Sequence, residues 1–309
     1  MPSNSVYSPT AAGIANGLVA AFAWSIYVVF AREGAVSGLI SIDFALLRFG
    51  VAGLIVLPVL FSARAKPLRK VGWGRALVLT ALGGPLFIGL GAGGFTYAPL
   101  AFGVSLQPAV VALSGMIIAM LFTGYRPGWI GLAGAASICL GLGLLAYGTK
   151  GFGPDLPLGA AMFIIAGLMW ASFTALVAKW RIDATSATTV VSAISGAVII
   201  PVFAAFSDLS RILDLSAFEL GGQVLVQGLV AGVVAVLAFA RAVASLGAAG
   251  ASIFPALVPV GGILLGIPMT GATPNLQQVL ATVAIGVGIA LVLSQGKVTW
   301  SQRSGQSGG

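Results

Sequence analysis

Histidine is absent, cysteine occurs once, and charged residues make up only 7% of the 309 positions. With no His and a lone Cys139 inside an apolar run, the chain has neither a disulfide framework nor the nitrogen and sulfur ligands of an ordinary Zn, Cu or Fe site. No metal and no cofactor are expected. Carboxylates are as scarce. Glu33, Asp43, Asp155, Asp183, Asp208, Asp214 and Glu219 are the whole set, and each falls at the end of an apolar run or between two runs. A membrane enzyme needs paired carboxylates, a His, or a nucleophile with its base at depth, so the chain reads as a non-enzyme. Proton-coupled carriers use an intramembrane carboxylate or His as the relay. None is available at mid-depth, which points to facilitated diffusion or exchange and leaves only Asp43 and Glu33, at the outer edge, for any coupling. The opening MPSNSVYSPT also lacks the basic region of a cleaved signal, and none is expected.

Apolar side chains are plentiful, at 59% of the sequence, and what remains is too little to build a water-facing surface. The chain reads as all-α and polytopic, with the lipid bilayer as its principal partner. A helix needs about 20 apolar residues to cross the hydrocarbon. Ten runs qualify: 11–31, 42–61, 74–95, 99–122, 128–148, 157–179, 186–206, 220–241, 247–269 and 275–295. They are continuously apolar rather than alternating, which excludes a membrane β-barrel. The net charge of +8 is spread over short loops, so it orients the chain in the membrane and implies no nucleic-acid partner. With the N-terminus inside, Arg64, Lys66, Arg69, Lys70, Arg75, Arg126, Lys179, Arg181, Arg241, Lys297 and Arg303 are cytoplasmic, against Arg32, Lys150 and Arg211 outside. This excess places both termini in the cytoplasm of an inner-membrane protein. Trp73, Trp129, Trp180 and Trp300 fall at the same interface.

The chain is also written twice. GVSLQPAVVALSGMIIAMLFTGYRP, from Gly103, aligns with the stretch from Gly250, placing Ser105 on Ser252, Pro108 on Pro255, Gly115 on Gly262, Thr123-Gly124 on Thr270-Gly271 and Pro127 on Pro274. Likewise VAGLIVLPVL aligns with ISGAVIIPVF, matching Gly53 to Gly196 and Pro58 to Pro201. The first and sixth runs share a central tryptophan, Trp24 and Trp170. The halves are residues 1–150 and 151–296, with a polar tail over 297–309. Five spans per half force the second half to enter from the opposite side, an inverted repeat of the kind that serves alternating access to a midplane site.

The central Trp followed by a small residue, the Pro- and Gly-marked fourth run and the Thr-Gly junction into a Gly-rich fifth resemble the drug/metabolite transporter superfamily, in its two-repeat EamA branch. The resemblance covers nearly the whole chain and implies ten helices, inverted five-helix repeats and export of small metabolites. Within the branch, the chain is most similar to the aromatic amino-acid and methyl viologen exporters of the YddG type. The family often carries Glu after the fourth helix of each repeat, where this chain has Tyr125 and Ala272. No role of that acidic pair carries over.

Candidate substrate-binding residues follow from depth and chemistry. Trp24 and Trp170 lie midway along their runs, with Tyr27 and Phe173 three residues on and on the same faces. They either line an aromatic cavity for a planar or cationic solute or pack between helices. Asn16 continues the Trp24 face. Arg48 sits about 9 Å into the second run at 1.5 Å per residue. It either snorkels outward to pair with Asp43 or docks a substrate carboxylate. Gln107 precedes Pro108, where a helix break would free backbone carbonyls. Gln223 and Gln227, four residues apart, share a face of the eighth run and either face a solute or bond a neighbouring helix. Thr174, like Ser172 and Ser252, either joins the site or bonds back to its own helix. The expected function is a secondary exporter of small metabolites, amino acids foremost and aromatic ones preferred. The alternatives are another substrate class, such as nucleotide sugars or drugs, or a passive channel. A phosphate-bearing substrate would want several buried cations, and Arg48 stands alone. The oligomeric state is not set by the sequence.

Overall fold

The computed structural model describes residues 11–61, 67–147, 153–251, 253–271 and 274–294. The polar tail, Arg64, Lys66, Lys150, Ser252, Lys297, Trp300 and Arg303 lie outside the described residues. Every regular element among the described residues is helical, as a chain that must satisfy its own backbone hydrogen bonds in lipid requires. Eight helical stretches among them are long and apolar enough to cross a bilayer. Leu121, Phe122, Phe206 and Leu264 are largely exposed, giving a surface suited to acyl chains.

The first half holds α1 (Ala11–Val36), α2 (Ser41–Phe61), the short α3 (Pro67–Val71), α4 (Trp73–Gly83), α5 (Pro85–Gly93), a 3₁₀ turn (Gly94–Thr96), α6 (Leu100–Thr123) and α7 (Trp129–Tyr147). The predicted third run is therefore two helices. Gly84 takes an extended conformation (φ −96°, ψ −146°) and Pro85 opens α5. A Pro has no N–H to continue the preceding ladder, and it suits a helix start. The second half holds α8 (Leu156–Lys179), α9 (Ala184–Phe206), α10 (Ser210–Leu213), α11 (Ala217–Gln223), a π-helix (Val224–Val234), α12 (Ala235–Ala251), α13 (Ile253–Ala256), α14 (Val258–Thr270) and α15 (Leu276–Ser294).

Three expectations change. Pro108 lies inside an unbroken α6, so the first half lacks the helix break predicted beside Gln107. In the second half the matching region is interrupted, with Leu257 between α13 and α14 and Pro259 in the first turn of α14. The predicted loop over 242–246 is instead the middle of α12. Arg241 had marked that loop, but the Ala-rich stretch after it favours helix. The eighth run is α-helical only at its ends, because its centre winds as a π-helix.

The repeat is physical. Gly124 and Gly271, matched in the alignment, both end their helices in the left-handed conformation, at φ 69° and 66°, where a side chain would be strained. Gly53 and Gly196, also matched, meet each other where α2 crosses α9. A Cβ on Gly53 would lie 3.2 Å from the Gly196 Cα, and one on Gly196 would lie 3.3 Å from the Gly53 Cα. A residue touching its own counterpart marks a local two-fold relation between the halves. The α7 and α15 helices close in the same way. A Cβ on Gly134 would meet the Gly288 carbonyl oxygen at 2.8 Å, and one on Gly288 the Gly134 carbonyl oxygen at 2.6 Å. Small residues permit this approach, which is what holds helices together in lipid, where no hydrophobic effect separates helix from solvent.

Candidate functional site

The central tryptophans are each met from the opposite half. Trp24 on α1 packs against Phe239 on α12, with ring centroids 5.3 Å apart and the planes tilted by 56°. Trp170 on α8 stacks on Phe87 of α5, at 5.0 Å and 23°. On its own helix Trp170 also stacks with Phe173, at 5.0 Å and 20°, so Trp170 contacts two aromatic rings. In both cases the first long helix of one half reaches the third run of the other. Offset stacking adds about 0.5–1.5 kcal/mol per pair beyond area burial.

Gln107 joins the Trp170 group. Its Oε1 would lie 3.2 Å from a Cβ on Gly91, one turn along α5 from Phe87. A Cβ on Gly167, three residues before Trp170, would lie 3.0 Å from the Gln107 carbonyl oxygen. α5, α6 and α8 thus bring Phe87, Gln107 and Trp170 together. The absence of a side chain at Gly91 is what leaves room for the amide.

Tyr27, Arg48, Gln223 and Gln227 form the second group. The Arg48 guanidinium carbon lies 5.3 Å from the Tyr27 ring centroid, and its Nη1 donates weakly to the Gln227 carbonyl at 3.5 Å. Gln223 Nε2 donates to the Phe30 carbonyl at 2.7 Å, and Gln227 Nε2 donates to Gln223 Oε1 at 3.2 Å. Both amides are buried, and among the described residues Gln227 Oε1 has no donor. Tyr27 and Arg48 are only half-buried.

The pairing of Arg48 with Asp43 does not form. Asp43, fully buried at the start of α2, is bound by Arg211, whose Nε lies 2.9 Å from Oδ2 and whose Nη2 lies 3.2 Å from Oδ1. Arg211 Nη2 also donates to Ser207 Oγ at 2.6 Å, and the Asp43 carboxylate further accepts from the Ile40 N–H at 2.9 Å. Hydrogen bonding to Asp43 raises the pKa of Arg211 and fixes its charge. Among the described residues no carboxylate reaches Arg48. Two other candidates bond to their own helix. Asn16 Nδ2 donates to the Ala12 carbonyl at 2.8 Å, and Thr174 Oγ1 donates to the carbonyls of Trp170 and Ala171 at 3.0 Å each. Phe87 and Phe239 escaped the sequence reading. Both lie outside the aligned stretches of the repeat, so the alignment does not single them out.

The sequence matches the EamA-like transporter family over residues 11–147 and 157–294, one match for each half. The chain belongs to the EamA-like transporter family. It is therefore a multi-pass membrane transporter of small molecules. One solved structure, titled "Crystal structure of protein", is similar to this chain in fold. That solved chain is 18% identical with a TM-score of 0.62, over 92% of this chain and 96% of its own length, and at that identity the likeness concerns the fold alone. No functionally curated protein matches the chain.

Proposed function

We propose that this EamA-like transporter is a secondary exporter of amino acids, preferring aromatic ones, in the manner of the YddG-type exporters. It works by alternating access between ten spans arranged as two inverted five-helix repeats. Both termini lie in the cytoplasm and the protein resides in the inner membrane. Trp24, Tyr27, Gln107, Trp170, Gln223 and Gln227 face the solute, with Arg48 near its outer mouth and Asn16 and Thr174 at the margin.

The observation that carries this reading is the reciprocal packing of each central tryptophan on a phenylalanine of the other half. Rocking one half against the other must alter both aromatic contacts together, so a flat solute inserted there senses which side is open. Stacking on a face supplies affinity for planar rings without demanding one substituent pattern. Facilitated diffusion or exchange fits the placement of the carboxylates. Asp43 is held by Arg211 at a helix start, and Glu33 lies in the final turn of α1.

The test is counterflow of labelled tryptophan into vesicles containing the purified full-length protein. Saturable uptake, accelerated by unlabelled phenylalanine or tyrosine inside, is expected. Uptake that rises linearly with concentration and ignores internal amino acids would mean a channel, and no uptake at all would mean another substrate class.

A further inference from the structure

We propose that Arg48 and Gln227 form a paired receptor for the two charged ends of one α-amino acid, the guanidinium taking the carboxylate and Gln227 Oε1 taking the ammonium. This rests on the amino-acid reading above and narrows it, since it requires a zwitterion rather than any aromatic solute.

The amide chain has only one possible direction. The Phe30 carbonyl can only accept, so Gln223 must present its Nε2 there. Its Oε1 then faces Gln227, which must in turn present Nε2. Turning either amide over would set like atoms against each other, so the orientation follows from the network. Gln227 Oε1 is left at the end as a buried acceptor with nothing to accept. Leaving such a group unfilled costs it the desolvation that a partner would offset.

Arg48 presents the complementary vacancy. A guanidinium has five N–H donors, yet the contacts made here are one long bond to the Gln227 carbonyl at 3.5 Å and the face of Tyr27. Its nearest carboxylate in sequence, Asp43, is taken by Arg211. The Tyr27 ring holds the guanidinium in place, and a planar fork fits a carboxylate through two parallel bonds. The same residue, Gln227, thus touches the free cation through its backbone and carries the free acceptor on its side chain. An α-amino acid carries its anion and cation on one carbon, so it can bridge two such groups.

The acceptor lies on a segment able to present it. Gln227 belongs to the π-helix over Val224–Val234, a rare winding that is frequent at functional sites. Tightening that segment towards an α-helix turns Gln227 relative to Arg48. A bound zwitterion is neutral overall, so the loaded and empty sites carry the same charge.

Binding of three probes to the purified full-length protein tests the assignment: L-tryptophan, tryptamine (no carboxylate) and indole-3-propionate (no ammonium). The wild type is expected to bind tryptophan at least tenfold more tightly than either analogue. Arg48→Gln should weaken tryptophan and indole-3-propionate about tenfold and leave tryptamine unchanged. Arg48→Lys should recover only part, because a point charge replaces the fork. Gln227→Met should weaken tryptophan and tryptamine and spare indole-3-propionate. Equal losses for all three probes in either variant, or no loss for tryptophan, overturn the paired receptor while leaving the amino-acid reading intact. Failure of the wild type to bind tryptophan at all overturns both.

Discussion

At the scale of single residues, what a side chain can do here is decided by whether its partners are already taken. Asp43 and Arg48 sit five positions apart on α2, yet only Asp43 is satisfied, because Arg211 reaches it from the connection after α9. Asp43→Asn should lower stability by about 3 kcal/mol, the low end for breaking a buried pair, since Arg211 keeps contact with water. Thermal unfolding in detergent will measure it, and adding Arg211→Gln should restore part of the loss. An unchanged midpoint would show that the pair contributes nothing. Trp170 differs in kind, being in stacking contact with two rings, Phe87 and Phe173. Trp170→Ala should reduce affinity for an aromatic substrate by roughly three- to tenfold, the worth of one or two stacking contacts. Trp170→Phe should lose less, and an unaltered apparent affinity for both would remove Trp170 from the site.

At the scale of helices, contact distance is set by the residues that have no side chain. Gly53 and Gly196 touch across α2 and α9, and a Cβ on Gly53 would also lie 3.0 Å from the Ser192 carbonyl oxygen. Gly53→Val must push the two helices apart and should destabilise the protein by about 1–3 kcal/mol, the usual cost of overpacking. Gly115→Val is the control, at a position where a Cβ would meet nothing within 4 Å. Equal melting temperatures for the two variants would mean that the crossing is looser than described. Helix ends matter as well. Asp183 caps α9 by accepting from the Ser186 N–H at 2.8 Å and from the Ser186 hydroxyl at 2.8 Å. Burial opposes its ionisation, but those two bonds and the nearby Lys70 charge prevail and hold its carboxyl below the ordinary value. A depressed pKa places this contribution above the unfolded value of about 3.9 and removes it as the pH falls through the lower folded value. Asp183→Ala should therefore cost about 1 kcal/mol at neutral pH and progressively less under acid conditions, read from melting curves across pH.

At the scale of the whole molecule, the question is what drives net movement. The carboxylates stand at helix ends or between helices, so an imposed proton gradient is expected to leave initial rates of amino-acid flux in vesicles nearly unchanged. Stimulation of severalfold would assign coupling to Glu33 or Asp43 and overturn the uncoupled mechanism. Reciprocal packing also ties the halves together: α1 leans on α12 and α8 on α5, so neither half moves without disturbing a ring of the other.

Sequence by itself determined the class and the duplication. Apolar runs that long have only one stable solution in lipid, and Pro, Gly and Thr in matched register survive because Gly124 and Gly271 need a left-handed backbone and Gly53 and Gly196 need to touch. The polar candidates were visible as polar atoms at depth, but their partners were not. Arg48 could be placed along α2, whereas the claim of Arg211 on Asp43 depends on a contact between residues far apart in the chain. The π-helix that carries Gln227, the unbroken path of α6 through Pro108 and the choice of Phe87 and Phe239 as ring partners were decided by tertiary structure alone. Each depends on which helices lie side by side, and in an almost uniformly apolar chain the periodic pattern that would reveal a helix's neighbours is erased.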